Sequence, residues 1–174
     1  MAFRVMPATG LEVDEVTVVT DANSYSEVAD FLAYFLDRNV DYSDKEPEDL
    51  QAALLAATDY VEARYGARFG GVKLNNSQSL SWPRRNARDR EGYIIEGIPV
   101  LLKRAIWEYA ARALTSALLP DPSNDRAVSV TSTTIGPIKE YTSYFSNASV
   151  FKRYPLADSW IAHLLVGGSG GTIR

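Results

Sequence analysis

Cysteine is missing from this chain of 174 residues, and histidine occurs once, at His163. Without cysteine there can be no disulfide, no thiolate nucleophile, and no zinc or iron–sulfur site held by thiolates. One histidine cannot form a histidine-based metal site or a catalytic pair within a subunit, and an isolated histidine in a helix is most often structural. We therefore expect no metal, no other cofactor and no enzymatic activity.

Long apolar runs are also missing. No stretch approaches the roughly 18 to 20 residues that a membrane span needs, and the first ten residues lack the apolar block of a signal peptide. No nucleotide-binding glycine loop occurs, because the dense glycines lie at the C-terminal end with no predicted strand before them or helix after them. Acid pairs such as Asp14-Glu15 point apart, as surface charges do. These absences predict a cytosolic protein with no membrane partner.

Hydrophobic residues make up 46% of the chain and charged residues 23%, which is typical of a single globular domain with a real core. The charge is unevenly spread. Residues 1–60 hold thirteen acidic and three basic side chains, whereas residues 61–115 hold ten basic and five acidic ones. One interpretation is solvated helix surfaces; the other is a chain that associates head to tail or faces a polyanion on one side.

The most informative stretch runs from Leu80 to Pro120. It contains a Trp-Pro corner, an arginine-rich loop and a core helix that we expect to begin at Ile98-Pro99, because proline presets the backbone of a first helical turn. Apolar residues then recur at helical spacing up to Leu118, and Pro120 stops the helix. Its predicted polar edge consists of Lys103, Arg104, Glu108 and Arg112, and the predicted structural anchors are Trp82, Pro83, Pro99, Trp107 and Tyr109.

Two helices are predicted before this stretch, from cap-forming residues, proline and terminal glycine. The first runs from a cap at Ser24 or Ser26 to about Asn39, and the second from Pro47 to Gly66 or Gly70-Gly71. The apolar face of the second helix comprises Leu50, Ala53, Leu54, Ala57, Val61 and Tyr65. Residues 72–97 then lose all periodicity and predict a long ordered loop around a buried Trp82.

Four arginines lie inside that loop: Arg84, Arg85, Arg88 and Arg90. Arginine forks suit phosphate oxygens and carboxylates equally well, so these side chains could face a DNA channel or an acidic neighbouring subunit. The alternative is that they pair within the chain with Asp89, Glu91 and the acidic first helices. The sequence favours neither interpretation.

β-Branched and aromatic residues dominate residues 127–144, and Gly136-Pro137 interrupts them, which predicts a β-hairpin. A lone hairpin with few charges is marginal in solution, so we interpret it as an element that pairs between subunits. Its expected contact residues are Val128, Val130, Ile135, Gly136, Pro137, Ile138 and Tyr141.

A short last helix opens at Pro155 with Leu156, Trp160 and Leu164 facing inward, and a glycine-rich end follows. The residues assigned to docking of this end on a partner are Trp160, Gly167, Gly168, Gly170, Gly171 and Arg174. The predicted fold class is mainly α, a small bundle of about four helices with a long loop and a β-hairpin or extended arm after the core helix. The predicted segments are an N-terminal extended arm (1–23), the helical bundle (24–120), the hairpin arm (121–150) and the C-terminal helix with its tail (151–174).

The order of short motifs in the chain resembles the head–tail adaptor (head completion or connector) proteins of tailed bacteriophages. Closely related sequences carry the label DnaT-like single-stranded-DNA-binding protein. The resemblance covers roughly residues 24 to 145, and its order and spacing are more specific than any one motif. The matching residues are Ser81-Trp82-Pro83-Arg84, Gly92, Ile98-Pro99, Glu108-Tyr109-Ala110, Leu118-Leu119-Pro120 and Val130 to Tyr141.

The resemblance implies a structural virion protein without catalysis. Adaptors of this kind are helical bundles with an extended β-arm, and they assemble, usually as a dodecameric ring, beneath the portal. The implied partners are further copies of the chain, the portal protein, a tail-side connector or terminator protein, and the double-stranded DNA that passes through the channel. The implied location is the head–tail junction of the virion, and the host cytoplasm during assembly. Adaptors share no DNA-contact motif, so the resemblance does not say which arginines face DNA.

The alternative function is a single-stranded-DNA-binding module. Such modules combine a basic groove with exposed aromatic side chains on which bases stack. Tyr93 and Trp82, beside the four arginines, are the candidates in this chain. The acidic overall charge and the expected burial of Trp82 beside Pro83 count against this alternative.

Overall fold

The structure, a computed structural model, describes residues 3–6, 21–89, 91–119, 128–134, 139–144 and 152–166. These ranges contain four α-helices and two small antiparallel sheets, which confirms the prediction of a mainly α bundle with a hairpin. In chain order the elements are α1 (Val28–Leu36), α2 (Pro47–Tyr65), β1 (Val72–Lys73), β2 (Arg84–Arg85), α3 (Val100–Ala113), β3 (Val128–Thr134), β4 (Lys139–Tyr144) and α4 (Pro155–Ala162).

The chain divides into two compact units. The helical unit joins Met1–Leu118 to Arg153–Arg174 and contains all four of these helices, and the hairpin unit spans Leu119–Lys152 and contains β3 and β4. The core of the helical unit lies where α3 packs against α2 and α4. Among the described residues, no helix combines the length and the apolar character that crossing a membrane requires.

Helix α2 follows the sequence prediction closely. Pro47 occupies its first turn, and Glu48 and Asp49 lie near the positive end of the helix dipole. The whole predicted apolar face is buried, and so are Thr58 and Tyr60, because α2 is covered on more than one side. The helix ends as predicted at Gly66, which keeps a right-handed backbone and leads into a 3₁₀ turn over Gly66–Arg68.

Helix α3 is shorter than predicted. It begins at Val100, one residue after Pro99, and ends at Ala113 instead of continuing to Leu118. Thr115 gives the physical reason: its hydroxyl and its backbone N–H both donate to the carbonyl of Arg112, at 2.9 and 3.0 Å. A hydroxyl that bonds a nearby carbonyl competes with the helical hydrogen-bond pattern. Leu118 is still buried, so the chain after the helix continues to cover the core.

Glu108 is not on the solvated edge of α3, where the periodicity placed it. It is buried, and its carboxylate accepts hydrogen bonds from the Tyr34 hydroxyl (3.1 Å) and from Nη1 of Arg112 (2.7 Å). Helix α1 covers this side of α3, with the rings of Tyr34 and Trp107 4.7 Å apart. A carboxylate tolerates burial when donors of this kind replace its water.

The predicted serine caps of α1 are wrong. The helix starts after Glu27, and no side chain caps it. Ser24 and Ser26 are instead buried: the Ser24 hydroxyl donates to the carbonyl of Ser26 (2.9 Å), and the Ser26 hydroxyl accepts the indole N–H of Trp107 (2.7 Å). The Ser26 oxygen is therefore taken by a tertiary contact with α3, and the Ser24 oxygen by a local bond to the backbone of Ser26.

Helix α4 starts at Pro155 as predicted, but Leu156 points outward and is exposed. The inward positions are Ala157 and Ile161, one helical turn apart, followed by Leu164. After the helix, Leu165 forms an antiparallel bridge with Phe69, so this segment lies beside the end of the 3₁₀ turn.

The hairpin unit pairs β3 with β4 in an antiparallel register from Thr134 opposite Lys139 to Val128 opposite Tyr144, with an irregularity between Val128 and Val130. This pairing agrees with the predicted hairpin. The predicted break at Gly136-Pro137 lies outside the described residues, together with Ile135 and Ile138. The same holds for the glycine-rich end after Val166, for Arg90 and for residues 7–20 of the predicted N-terminal extended arm.

Candidate functional site

The loop between α2 and α3 is built around Trp82. Its side chain is fully buried, its ring meets the Phe69 ring edge to face at 5.8 Å, and its peptide bond to Pro83 is cis. The backbone N–H of Trp82 donates to the Tyr25 hydroxyl at 3.1 Å, and that hydroxyl donates in turn to the carboxylate of Glu62. Trp82 is therefore an anchor of the core and offers no face to a nucleic-acid base.

Burial, reinforced by the negative charge of Glu62, raises the pKa of Tyr25 well above its ordinary value. The hydroxyl therefore stays protonated, which lets it donate to Glu62 while it accepts from Trp82. Glu62 also accepts the Ser81 hydroxyl at 2.7 Å. These bonds tie α2, the segment before α1 and the loop together at one carboxylate.

Arg84 is the second fixed point of the loop. Its guanidinium donates to the backbone carbonyls of Gly70 (2.5 Å), Gly71 (2.7 Å), Phe69 (3.2 Å) and Ser81 (3.2 Å). Burial lowers the pKa of Arg84 from its ordinary value, and the four carbonyls accept bonds from four of its five N–H groups. Arg84 therefore clamps the loop to the end of α2, and its donors are engaged inside the protein.

The residues after Arg84 form a tight turn. Ala87 accepts the backbone N–H of Ile95 (2.9 Å), and Arg88 pairs with Ile94 in an antiparallel bridge. One oxygen of Asp89 accepts the N–H groups of Glu91 (3.0 Å) and Tyr93 (2.9 Å). We call residues 85–89 and 91–95 the arginine turn.

The arginine turn holds two apolar side chains, Tyr93 and Ile94, in solvent. Arg85 and Arg88 are exposed as well. Arg88 donates to the carbonyl of Gly92 (2.5 Å), which braces the turn. Two acids accompany these arginines in the turn: Asp89, which bonds to backbone N–H groups, and the exposed Glu91. This turn, with two exposed arginines and an apolar centre, is the candidate site of the described chain.

A second polar cluster, around Asp158, is structural. Its carboxylate accepts the hydroxyls of Tyr109 (2.5 Å) and Tyr65 (2.9 Å), the Arg64 guanidinium (3.1 Å) and the backbone N–H of Tyr154 (3.1 Å). Burial raises the pKa of Tyr65 to about 12 and raises that of Tyr109 further. Three of these donors belong to α2 and α3, so the cluster binds α4 to both helices. Among the described residues, no group of three or more potential ligands is placed to hold a metal ion.

The predicted site residues thus separate into three groups. Trp82, Pro83, Pro99, Trp107 and Tyr109 are buried, Arg84 is engaged by carbonyls, and Arg85 and Arg88 are exposed. Trp160 is half-buried, with the Arg104 guanidinium 5.4 Å from its ring centre. Sequence reasoning missed Tyr25, Glu62, Gln78 and Asp158. The buried Gln78 was the least visible, because its amide bonds the carbonyls of Leu80 (2.8 Å) and Pro83 (3.1 Å) within a loop that has no periodicity.

The fold defines a small, mainly α protein with a β-hairpin unit and an exposed turn that carries arginines, and the comparisons place it in a family. Residues 9–174 match the model of the family described as "Putative DnaT-like ssDNA binding protein", and the chain belongs to that family. Comparisons with curated proteins and with solved structures gave no match.

Proposed function

We propose that the protein is a structural virion protein of a tailed bacteriophage: a ring-forming adaptor that joins the portal to the tail and lines the DNA exit channel. Its partners are further copies of itself, the portal protein, a tail-side connector or terminator, and double-stranded DNA. Under this proposal it carries out no catalytic step and needs no cofactor. It is located at the head–tail junction of the virion, and in the host cytoplasm during assembly.

The hairpin unit is the observation that carries the proposal. Strands β3 and β4 pair only with each other within the described residues, and they cluster into a unit apart from the helices. A two-stranded hairpin is marginally stable by itself in water. Its open strand edges also present unpaired N–H and carbonyl groups. Pairing with a neighbouring subunit would stabilise the hairpin and supply partners for its strand edges. The resemblance to adaptors, which have an extended β-arm, also supports pairing between subunits.

Single-stranded-DNA binding is the second candidate, because the description of the family includes it. The observation that favours it is the exposed Tyr93 beside Arg85 and Arg88, since base stacking on an aromatic side chain near positive charge is how such proteins bind. Two observations weigh against it: Trp82 is fully buried, and the donors of Arg84 are taken by backbone carbonyls. Of the two aromatic candidates in the described loop, Tyr93 alone is exposed, whereas a binding groove uses several aromatic side chains.

A hairpin variant tests the adaptor proposal. Thr131, opposite Thr142 in the ladder, is changed to proline, which removes an N–H and cannot sit within a regular strand pair. The matched control is Thr131→Val, which keeps the N–H and suits a strand. In a phage that encodes the protein, Thr131→Pro should leave DNA-filled heads without stably attached tails, as counted by electron microscopy, while Thr131→Val supports normal virions. Normal virions with both variants would contradict the role of the hairpin.

A salt series tests the second candidate. Single-stranded-DNA binding by phosphate contacts weakens steeply as salt rises. Fluorescence anisotropy with a labelled oligonucleotide of about 20 nucleotides should show weak binding or none at about 150 mM salt if the adaptor proposal is right. Tight, salt-sensitive binding that is lost in Tyr93→Ala would favour the second candidate instead.

A further inference from the structure

Residues 63–88 contain six basic side chains and no acidic one. Strands β1 and β2 lie within this segment, and their antiparallel pairing places Lys73 and Arg85 on neighbouring strands. Arg68 precedes β1 by four positions. All three side chains are exposed, and we call them the ribbon cations. Positive charge is therefore concentrated where the chain forms its small two-stranded ribbon.

The ribbon cations have no carboxylate partner within the described residues. The ion pairs found there use other basic side chains, namely those of Arg4, Lys45, Arg64, Lys103 and Arg112. Lys73 donates to two backbone carbonyls at 3.3 and 3.5 Å, and the guanidinium of Arg68 lies 6.0 Å from the centre of the Tyr65 ring. The side chain of Arg85 makes no hydrogen bond with another described residue. No ion pair within the described chain therefore neutralises this surface.

The acids that come closest along the chain, or at its contacts, are bound to other donors. Glu62 accepts two hydroxyls in the network around Trp82, and Asp89 accepts backbone N–H groups of the arginine turn. Asp21, beside the contact of the loop with Ala22, pairs with Arg4. The exposed Glu91 lies in the arginine turn, six positions beyond β2. The ribbon thus differs from the turn, in which two acids accompany two arginines.

The backbone beneath the ribbon cations is held in place. Arg84 clamps it to the end of α2, and at Gly71 the chain approaches so closely that an added Cβ would lie 2.2 Å from the carbonyl oxygen of Arg85. A fixed surface loses little conformational entropy on binding. Two exposed asparagines, Asn76 and Asn86, lie within three positions of a ribbon cation. Amide side chains commonly contact phosphate together with arginine and lysine.

We propose that the ribbon cations bind the phosphate backbone of double-stranded DNA without reading its sequence. Lysine and arginine neutralise phosphates and release their counterions, and such contacts carry no sequence information. The proposal rests on the proposed adaptor function, for which it names the surface of the helical unit that faces the DNA. A neighbouring copy suits this surface less well, because protein interfaces have apolar and aromatic centres and are depleted in lysine. The two strands expose a single large apolar side chain, Val72.

The salt dependence of duplex binding tests the proposal. Each phosphate contact contributes about 0.9 to the slope of log affinity against log salt, so three contacts give about 2.7 for each bound copy. Binding should then weaken roughly 100-fold between about 25 mM and about 150 mM salt, as measured by fluorescence anisotropy of a labelled DNA duplex with the full chain. Arg85→Gln and Arg68→Gln should each lower the slope by about one third. Arg85→Lys keeps the charge and should keep the slope.

Lys45→Gln is the matched control. It removes the same charge from an exposed position, but Lys45 lies before α2, whereas the ribbon follows the other end of that helix. A helix of 19 residues is about 28 Å long. The control should therefore leave the slope unchanged. Circular dichroism verifies that each variant folds, and sedimentation velocity verifies that it associates like the natural chain.

Three results would overturn the ribbon contact. Equal slopes in Arg85→Gln and Lys45→Gln, or no duplex binding at the lowest salt, would show that the ribbon does not face DNA; the adaptor proposal would still be decided by the hairpin variants. Loss of self-association in Arg85→Gln with duplex binding intact would assign the ribbon to a neighbouring copy. Salt-sensitive binding of a single strand without binding of the duplex would exclude the ribbon contact and favour the second candidate function.

Discussion

The hydroxyl of Tyr109 on α3 donates a 2.5 Å hydrogen bond to Asp158 on α4, although the two residues are 49 positions apart. The hairpin unit lies between them in sequence. The same carboxylate accepts bonds from Tyr65 and Arg64 on α2. One acid on a helix of eight residues thus holds three helices of the unit together.

Asp158→Ala should therefore destabilise the helical unit strongly. The substitution removes the acceptor that the Arg64 guanidinium and the Tyr65 and Tyr109 hydroxyls share, and breaking such a network costs about 3 to 5 kcal/mol of unfolding free energy. Urea denaturation followed by circular dichroism measures it. Ser159→Ala, on the exposed side of the same helix, is the control and should change the free energy by less than about 0.5 kcal/mol. Equal effects would show that the cluster is not the tie between the helices.

Alkaline pH should lower the unfolding free energy of the helical unit through the same cluster around Asp158. Burial raises the pKa of Tyr65 to about 12, whereas an unfolded tyrosine titrates near 10. Because the folded-state pKa is the higher one, the unfolded chain loses its proton first, so this stability is fully present below about pH 10 and is lost as pH rises towards 12. Urea titrations from about pH 8 to pH 11.5 measure the decline, and Tyr65→Phe should make it shallower. An unfolding free energy that stays constant to about pH 11.5 would contradict this.

Substitutions at two neighbouring arginines, Arg84 and Arg85, should differ sharply in the stability that they cost. Arg84→Ala leaves four carbonyls without their donor and should cost about 2 to 3 kcal/mol of stability, the range for hydrogen bonds to a charged group and the carbonyls it leaves behind. Arg84→Lys should recover only part, because an ammonium lacks the planar fork. Arg85→Ala, at an exposed position, should be nearly neutral. Thermal unfolding of the three variants measures these losses of stability. A loss in Arg85→Ala as large as that in Arg84→Ala would contradict the role of Arg84 as a clamp.

Alanine substitutions at two glycines, Gly71 and Gly92, should also differ in the stability that they cost. Gly71 has a φ of 71°, and a Cβ added there would lie 2.2 Å from the carbonyl oxygen of Arg85. Gly71→Ala should therefore cost more than about 2 kcal/mol, from backbone strain and from the displaced loop. Gly92 also has a positive φ (90°), but no atom lies within 4 Å of such a Cβ, so Gly92→Ala should cost only the strain, about 1 kcal/mol. Differential scanning calorimetry should rank the variants in this order; the reverse order would contradict the packing.

Elements that local sequence determines were predictable. Pro47 and Pro155 mark the starts of α2 and α4, since proline acts on its own turn, and the apolar face of α2 follows from a period that needs no partner. Errors arose wherever a distant residue decides. Ser26 cannot cap α1 because Trp107 uses its hydroxyl, and Glu108 is buried because Tyr34 covers it.

The candidate site was predictable to the same degree. The arginine-rich loop and the burial of Trp82 could be inferred from composition and from the Trp-Pro pair. The different roles of Arg84 and Arg85 could not, because adjacent arginines look alike until the carbonyls that one of them reaches are known. Asp158 gave no signal either, since its partners Tyr65 and Tyr109 lie 93 and 49 positions away in the sequence.

In sequence, the hairpin unit is inserted into the helical unit between α3 and α4. For the folding of the helical unit it is therefore equivalent to a long loop. The entropy cost of closing a loop grows slowly with its length, by only about 0.6 kcal/mol for each doubling. Strands in this arm can therefore be lengthened or shortened over many generations, or by design, without unfolding the bundle that carries them. The length of the hairpin arm can therefore change with little effect on the stability of the helical unit.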